Sequence, residues 1–296
     1  MNPVVPDENA VATYYGRPVL KQPVWIWTVP AYFYVGGISG AVLVLGAVAQ
    51  IKRDPGLRPL VIAARRLGFI GQAVGSVLLI ADLGKPSRFL NMLRVFRPLS
   101  PLSMGSWVLA VGGALSGLAS ILPQKHRSTR SLSDVSGLAA GALGIPLAGY
   151  TGVLLANSAI PVWQGARHSL PALFVSSSVA SCASLFEMME LSPREQRIVH
   201  RFGVIGKTAE LICITAMERQ LSEREAVVKP LRNGVAGALW TVSKVLTVAS
   251  LALTLMPGQS KARRTAGVLG TIAGIGLRFA VFQAGFASSR NPKAVV

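Results

Sequence analysis

Ionisable side chains inside long apolar stretches are the residues of this sequence best placed to do chemistry. A charge held within a bilayer costs about 3 kcal/mol, so it is kept either for function or as half of a structural ion pair. Lys207 and Glu210 are three positions apart, which places them on one helix face and predicts that they neutralise each other. The full set comprises Asp82, Glu187, Lys207, Glu210, Lys244 and Arg278.

Polar side chains from different stretches are predicted to lie at one depth. At the helical rise per residue, Tyr32, Tyr150, Glu210 and Arg278 each fall about 10–12 Å from the same surface, and Asp82 lies nearer to it. Phenols, carboxylates and a guanidinium in one layer can bind a polar head group and move protons to or from it. The sequence therefore predicts a polar pocket near the face that carries both chain termini.

The remaining charged residues of the apolar stretches are expected to lie farther from that face. Lys244 is expected near the midplane of the membrane, and Glu187 is expected close to the opposite surface. Together with Lys207 they are candidates for a proton path across the protein. The alternative interpretation is that all three belong to ion pairs that hold helices together.

The stretch Leu78–Trp107 combines a carboxylate with a basic surface segment. An apolar helix is predicted to end after Asp82, because a glycine and a proline follow at positions 84 and 86. Ser100 and Pro101 are typical of the start of the next helix. Residues 85–97 between them, here called the lip, are either a partner-docking surface or a loop at the membrane interface. Its docking candidates are Lys85, Arg88, Phe89, Arg94, Phe96 and Arg97.

Composition indicates an all-α integral membrane protein. The chain has 296 residues, of which 51% are hydrophobic and only 14% are charged. A soluble domain of this length would carry charges at about a quarter of its positions. The net charge of +18 resides mostly between the apolar stretches, where basic residues contact lipid head groups, so nucleic-acid binding is not expected.

Eight windows are long and apolar enough to span a membrane. They divide the chain into an extramembrane tail (1–23), a transmembrane domain (24–286) and a C-terminal tail (287–296). An even number of spans places both termini on one side, and the distribution of basic residues favours the outer side for them. The windows are Val24–Gln50, Ala63–Leu83, Leu102–Leu122, Val135–Asn157, His168–Met189, Val199–Met217, Gly234–Met256 and Ala266–Phe286.

Cysteine and histidine usage argues against metal centres in this chain. The only cysteines, Cys182 and Cys213, are separate and lie in apolar stretches, so neither an iron–sulfur cluster nor a structural metal site is expected. The three histidines, His126, His168 and His200, are at the ends of the windows. A haem between membrane helices needs histidine ligands well inside them, so no haem is expected.

Several ordered motifs resemble the NrfD/polysulfide reductase membrane-subunit family. Each motif is weakly specific alone, but their order along eight predicted helices covers roughly residues 14–286. Leu78–Trp107 contains the most characteristic of them. The stretches that carry the resemblance are Tyr14–Lys21, Pro23–Trp27, Pro30–Gly37, Ala81–Phe89, Arg97–Trp107, Gly149–Ala156, Arg201–Gly203 with Glu210, and Leu277–Ala280 with Ala284–Gly285.

The resemblance implies a haem-free subunit of two four-helix bundles in a bacterial or archaeal cytoplasmic membrane. It implies binding of a quinone, menaquinone or ubiquinone, and electron exchange with a peripheral four-cluster ferredoxin-like iron–sulfur subunit. That subunit in turn serves a molybdopterin or other catalytic subunit, so the chain is not an enzyme alone.

The resemblance also assigns roles to individual residues. It implies that Tyr150 contributes to the quinone pocket and that Asp82, Glu210 and Arg278 handle protons. The family uses a histidine in the first helix, but this sequence has Trp27, Tyr32 and Tyr34 there instead. Those three are therefore the candidates for further contacts with the quinone head group.

Two alternative functions remain open from the sequence. An ion- or proton-translocating subunit would line a path with its buried charges, although paired helix breaks typical of transporters are not evident. A purely anchoring subunit would hold a redox complex at the membrane and use the same charges as structural ion pairs.

Overall fold

In the computed structural model, residues 20, 23–85, 87–123, 126–256 and 260–290 are described, and all their regular structure is helical. Most of the predicted N-terminal tail, Pro86 of the lip and residues 291–296 lie outside the described residues. The helices are α1 (Thr28–Ile51), α2 (Arg58–Leu83), α3 (Ser87–Arg94), α4 (Pro101–Ile121), α5 (Arg127–Ala156), α6 (Pro161–Gly165), α7 (Leu170–Glu187), α8 (Pro193–Ser222), α9 (Glu225–Arg232), α10 (Gly234–Leu255) and α11 (Ser260–Ser289).

Each predicted window corresponds to a long helix, but not every long helix is strongly apolar. Within the described part of the chain, seven helical segments are long and apolar enough to cross a membrane: α1, α2 with the turn before it, α4, α5, α7, α10 and α11. The sixth window lies in α8, whose 30 residues include many charged side chains. A capping box between Ser192 and Glu195 starts this helix six residues before the predicted window at Val199.

Local sequence signals set several helix ends as predicted. Gly84 ends α2 in the left-handed conformation, at φ 67°, which only glycine adopts without strain. The Ser100 hydroxyl accepts a hydrogen bond from the Ser103 N–H and starts α4. Between them, the lip is not an irregular segment, because Ser87–Arg94 form the short helix α3.

Helix α1 lies at the centre of the fold. It packs against α2 and α5 on one side and against α7 and α11 on the other. Its approach to α5 is close enough to exclude side chains: a Cβ added at Gly40 would lie 2.5 Å from the Gly144 carbonyl oxygen and 2.9 Å from the Ala148 nitrogen. Small residues thus allow backbone-to-backbone contact, as they commonly do between membrane helices.

The end of the bundle opposite the lip is held by a polar cluster that the sequence analysis did not identify. Helix α5 begins eight residues before the predicted window, which brings Asp134 to Arg58 at 2.6 Å and to Arg65 at 2.8 Å. The buried Arg65 guanidinium also donates to Gln50 and Ser133. One carboxylate thus contacts two guanidinium groups, and the cluster joins α1, α2 and α5.

The close contact between α1 and α5 gives a stability prediction. We expect Gly40→Ala to destabilise the protein by about 1–3 kcal/mol, because the new methyl group would overlap backbone atoms that cannot move independently. Unfolding of the purified protein in detergent, followed by helix content against temperature or denaturant, measures the effect.

Gly112→Ala is the matched control on α4. Its added Cβ would lie 3.4 Å from the nearest atoms, which belong to the flexible Gln72 side chain. We expect little change in stability for this variant. Equal destabilisation by the two substitutions would contradict the predicted backbone contact.

Candidate functional site

Two of the predicted site residues meet directly. The hydroxyl groups of Tyr32 on α1 and Tyr150 on α5 are hydrogen bonded to each other. Glycines make room for both rings, since an added Cβ at Gly75 on α2 would crowd the Tyr32 ring and one at Gly105 on α4 would overlap the Tyr150 ring. Four helices therefore fix the tyrosine pair in place.

A row of buried aromatic rings connects this pair to the second half of the protein. The Phe33 centroid lies 6.5 Å from that of Tyr32 and 6.0 Å from that of Phe174 on α7. The Arg278 guanidinium carbon lies 3.9 Å from the Phe174 ring centroid. Arg278 on α11 thus stacks on the far end of a row that begins at Tyr150, with a cation–π contact that stabilises the buried charge.

Arg278 is buried but only partly hydrogen bonded. It is 1% exposed, and its Nη2 donates to the Phe174 carbonyl at 2.8 Å and to the Ser178 hydroxyl at 3.0 Å. Its Nε and Nη1 have no hydrogen-bond partner among the described residues. Buried donors are nearly always satisfied in proteins, so unpaired guanidinium donors point to a ligand or water at this position.

Glu210 and Tyr34 complete the polar layer. Glu210 on α8 is 2% exposed, and its carboxylate lies beside the hydroxyl groups of Ser177 and Thr247. It interacts electrostatically with Arg278, and the half-buried Tyr34 interacts with both of these charged groups. The structure therefore groups Tyr34, Glu210 and Arg278, and the aromatic row links them to Tyr32 and Tyr150.

Asp82 and Trp27 lie nearer the surface than this layer. Asp82 is half-buried at the last turn of α2, where its Oδ1 accepts a hydrogen bond from the Ile26 N–H at 3.3 Å. Trp27 precedes α1 and is 65% exposed. Within the described chain, Asp82 forms neither a hydrogen bond nor an ion pair with Glu210 or Arg278, so the structure does not bring it into contact with the rest of the predicted layer.

The lip lies at the same end of the helices as Asp82. Its basic side chains are exposed, and Phe96 is 58% exposed while its ring contacts Trp107 edge-on at 5.9 Å. Phe89 is half-buried, and Leu99 just beyond the lip is 99% exposed. Exposed apolar and basic side chains are thus combined on this surface, as expected for an interaction site or a membrane interface. The side chains concerned are Lys85, Arg88, Phe89, Arg94, Phe96 and Arg97.

The predicted pairing of Lys207 with Glu210 is not formed. The Lys207 ammonium instead donates to both carboxylate oxygens of Glu187, at 2.6 and 2.9 Å, and to the Thr254 hydroxyl at 2.7 Å. Residues from α7, α8 and α10 therefore form one buried network, with Lys207 1% and Glu187 2% exposed. Spacing on one helix could not reveal this partner, because it comes from a neighbouring helix.

Lys244 also has a partner that the sequence analysis missed. Its ammonium lies 2.8 Å from Oε2 of Glu218, and these side chains are 40% and 34% exposed. The Trp240 indole N–H donates to the same carboxylate at 2.8 Å. Glu218 lies one residue beyond the predicted window Val199–Met217, so the longer helix α8 is what brings it to α10.

The buried Glu187–Lys207 pair gives a prediction about stability. We expect Lys207→Met to destabilise the protein by about 3–5 kcal/mol, because it leaves the Glu187 carboxylate buried without its cation. Adding Glu187→Gln should recover much of that loss, since the unpaired charge is then removed. Unfolding in detergent compares the single and double variants.

Arg264→Met serves as the control for this comparison. Its ion pair with Glu190 lies at the end of the helices and is 53% and 90% exposed, so the loss should stay below about 1 kcal/mol. If Lys207→Met and Arg264→Met lowered stability equally, the buried pair would not have the predicted importance.

Comparison with known proteins places these features in a family. Residues 11–222, more than two thirds of the chain, match the polysulfide reductase family NrfD_2. The match includes Tyr32, Tyr150 and Glu210 and ends before Arg278. No curated protein matches the chain significantly. With its multiple apolar helices, the chain belongs to the NrfD/polysulfide reductase family and is a multi-pass membrane protein of the kind that serves as the membrane subunit of redox complexes.

Proposed function

We propose that this chain exchanges electrons and protons with a membrane quinone at the layer formed by Tyr32, Tyr150, Glu210 and Arg278. The observation that carries the proposal is the buried Arg278 guanidinium, whose Nε and Nη1 have no hydrogen-bond partner among the described residues. Each unpaired buried polar group lowers the stability of the fold by about 1–3 kcal/mol, so the presence of such groups here favours a ligand-binding role. The family assignment supports membership in a redox complex.

The chemistry of a quinone suits these residue types. A bound quinone or quinol supplies a carrier of two electrons and two protons. The Tyr150 hydroxyl can donate a hydrogen bond to a carbonyl oxygen, and Tyr32 holds that hydroxyl in place from the other side. Glu210 can take up or release a proton, and it interacts electrostatically with the nearby Arg278 guanidinium.

Residues at the start of α1 extend this proposed site. Tyr34 lies beside Arg278 and Glu210, and Trp27 is exposed at the end of the helix nearest the lip. We assign Tyr34 to the part of the proposed site that binds the quinone head group. We assign Trp27 to the entrance of that site, because aromatic side chains favour the membrane interface. Both menaquinone and ubiquinone fit this description, because each presents the same pair of carbonyl oxygens.

The proposed quinone reaction also needs an electron donor or acceptor, which we assign to a partner subunit. We propose that the lip seats a peripheral iron–sulfur subunit of the four-cluster ferredoxin type, which serves a molybdopterin or other catalytic subunit. Exposed basic side chains would orient an acidic partner surface, and Phe96 would provide an apolar contact. Asp82, at the end of α2 where the lip begins, would connect the docking surface to the site.

A proton-translocating role is the second candidate function, and one observation favours it. Glu187 and Thr254 line a cleft of about 590 Å³ at the end of the molecule opposite the lip. Lys207 is hydrogen bonded to both and interacts electrostatically with Glu210. These residues form a series of ionisable groups between that cleft and the proposed quinone site, in which Lys207 and Glu210 interact electrostatically without the predicted pairing. Lys244 pairs with Glu218 apart from this series.

Substitutions at the site test the proposed quinone chemistry. We expect Tyr150→Phe to lower quinone-linked turnover of the complex roughly 10- to 100-fold, because it removes a proton donor without changing the shape of the ring. Arg278→Gln should also lower turnover, since it removes the charge beside Glu210. Quinol oxidation and quinone reduction are measured with the complex purified together with its native partners.

Arg219→Gln is the matched control, because Arg219 is exposed on α8 and contacts none of the proposed site residues. Helix content and subunit composition are measured for all variants. An intact complex with normal turnover in Tyr150→Phe and Arg278→Gln would support a purely anchoring subunit instead.

Charge reversal on the lip tests the proposed docking surface. We expect Arg94→Glu with Arg97→Glu to reduce the amount of iron–sulfur subunit that copurifies, and to do so more strongly at low salt, because attraction becomes repulsion. Quantitative mass spectrometry of the purified complex measures the subunit ratio.

Arg127→Glu with Lys261→Glu provides a control at the opposite end of the helices, where both side chains are also exposed. Their reversal should leave the subunit ratio unchanged. Equal loss of partner in the two double variants would show that overall charge, and not the lip, governs association.

A further inference from the structure

Two clefts open side by side at the end of the molecule opposite the lip. The first, of about 590 Å³, lies between the start of α8 and the adjoining ends of α10 and α11, and apolar side chains such as Leu253 and Met256 line it. The second, of about 490 Å³, lies between the end of α1 and α8, and Val48 and Phe202 line it. Both have an apolar interior and a basic edge.

The two clefts share one basic ridge. Arg197 and Arg201 line both, and they are one helical turn apart on the same face of α8. Both side chains are exposed, and within the described residues neither forms a hydrogen bond or an ion pair. Their donors are therefore available to an external anion.

The carboxylates that line these clefts are already paired. Glu187 in the first cleft is bound by Lys207, and Asp54 in the second is bound by Arg194 at 3.0 Å. The Gly56 N–H, together with Arg194, holds the pKa of Asp54 below its usual value, so this carboxylate stays ionised and retains its partner. Arg197 also interacts electrostatically with Asp54, but that carboxylate is already bound by Arg194, so Arg197 and Arg201 leave the ridge with an excess of positive charge.

We propose that this ridge binds an anionic phospholipid, with its phosphate between Arg197 and Arg201 and its two acyl chains in the two clefts. Arginine presents several N–H donors in a plane and is well suited to phosphate oxygens. Basic pockets between membrane helices at the head-group level bind anionic lipids in this way. The paired apolar clefts on either side distinguish a two-chain lipid from a free phosphate ion.

The order of residues along α8 agrees with the depth of such a lipid. Arg197 lies one turn after the start of the helix, Arg201 follows one turn later, and Ile205 continues the same face with 65% exposure. A head group near the first turns and hydrocarbon beside Ile205 would match this change from charged to apolar. Lys52 at the edge of the second cleft adds a further positive charge at head-group level.

Lipid binding by the complete protein, purified with its native partners, tests the proposal. The complex is exchanged into detergent containing phosphatidylglycerol or phosphatidylcholine with the same acyl chains, and native mass spectrometry measures lipid retention. We expect a clear preference for phosphatidylglycerol. R197Q with R201Q should weaken it about 25-fold, since each basic residue near an anionic head group contributes about five-fold.

R127Q with K261Q is the matched control, because both side chains are exposed at the same end of the helices and line neither cleft. We expect this control to retain phosphatidylglycerol like the wild type, and glycerol phosphate to displace the lipid poorly. Equal retention of the two lipids by the wild type would overturn the proposal. So would equal loss in both double variants, or displacement by glycerol phosphate as readily as by intact lipid.

Discussion

The direct contact between the backbones of α1 and α5 is the constraint on which the rest of the site depends. Gly40 and Gly144 allow the helices to approach so closely that a side chain on either would overlap the other helix. This approach sets the separation at which the hydroxyl groups of Tyr32 and Tyr150, two turns farther along, form a hydrogen bond. In a membrane, where lipid is as apolar as the side chains, such close packing replaces much of the hydrophobic driving force.

The buried charges of this protein fall into two physical classes. Lys207 has its charge compensated by Glu187 through short contacts, and Arg65 is in direct contact with the Asp134 carboxylate, although its Nε has no partner among the described residues. Arg278 instead stacks on Phe174 with two guanidinium nitrogens unpaired within the described chain, and Glu210 interacts with it only electrostatically. The first class is explained by the stability of the fold alone. The second leaves polar groups unsatisfied at a cost, which is the expected signature of a site that binds something else.

The two ends of the helices carry different surface features. One end carries the lip and, a few turns deeper, the tyrosine pair with Arg278 and Glu210. The other carries the Arg65–Asp134 cluster and the ridge of Arg197 and Arg201 between two apolar clefts. Helix α8 links the ends, because it contains the ridge, Lys207 and Glu210 in succession. Its many charges explain why it is less apolar than the seven other long helices of the described chain.

The sequence by itself determined the all-helical fold, most helix positions and the depth at which the polar residues lie. These follow from local physics: apolar length, glycine and serine at helix ends, and a fixed rise per residue. The family resemblance could be read from ordered motifs for the same reason. Only the tertiary structure decided the partners, since Glu187 rather than Glu210 neutralises Lys207, and Glu218 neutralises Lys244. Depth along a helix is encoded locally, whereas rotation about its axis is set by packing with its neighbours, and it is rotation that brings Arg278 onto Phe174.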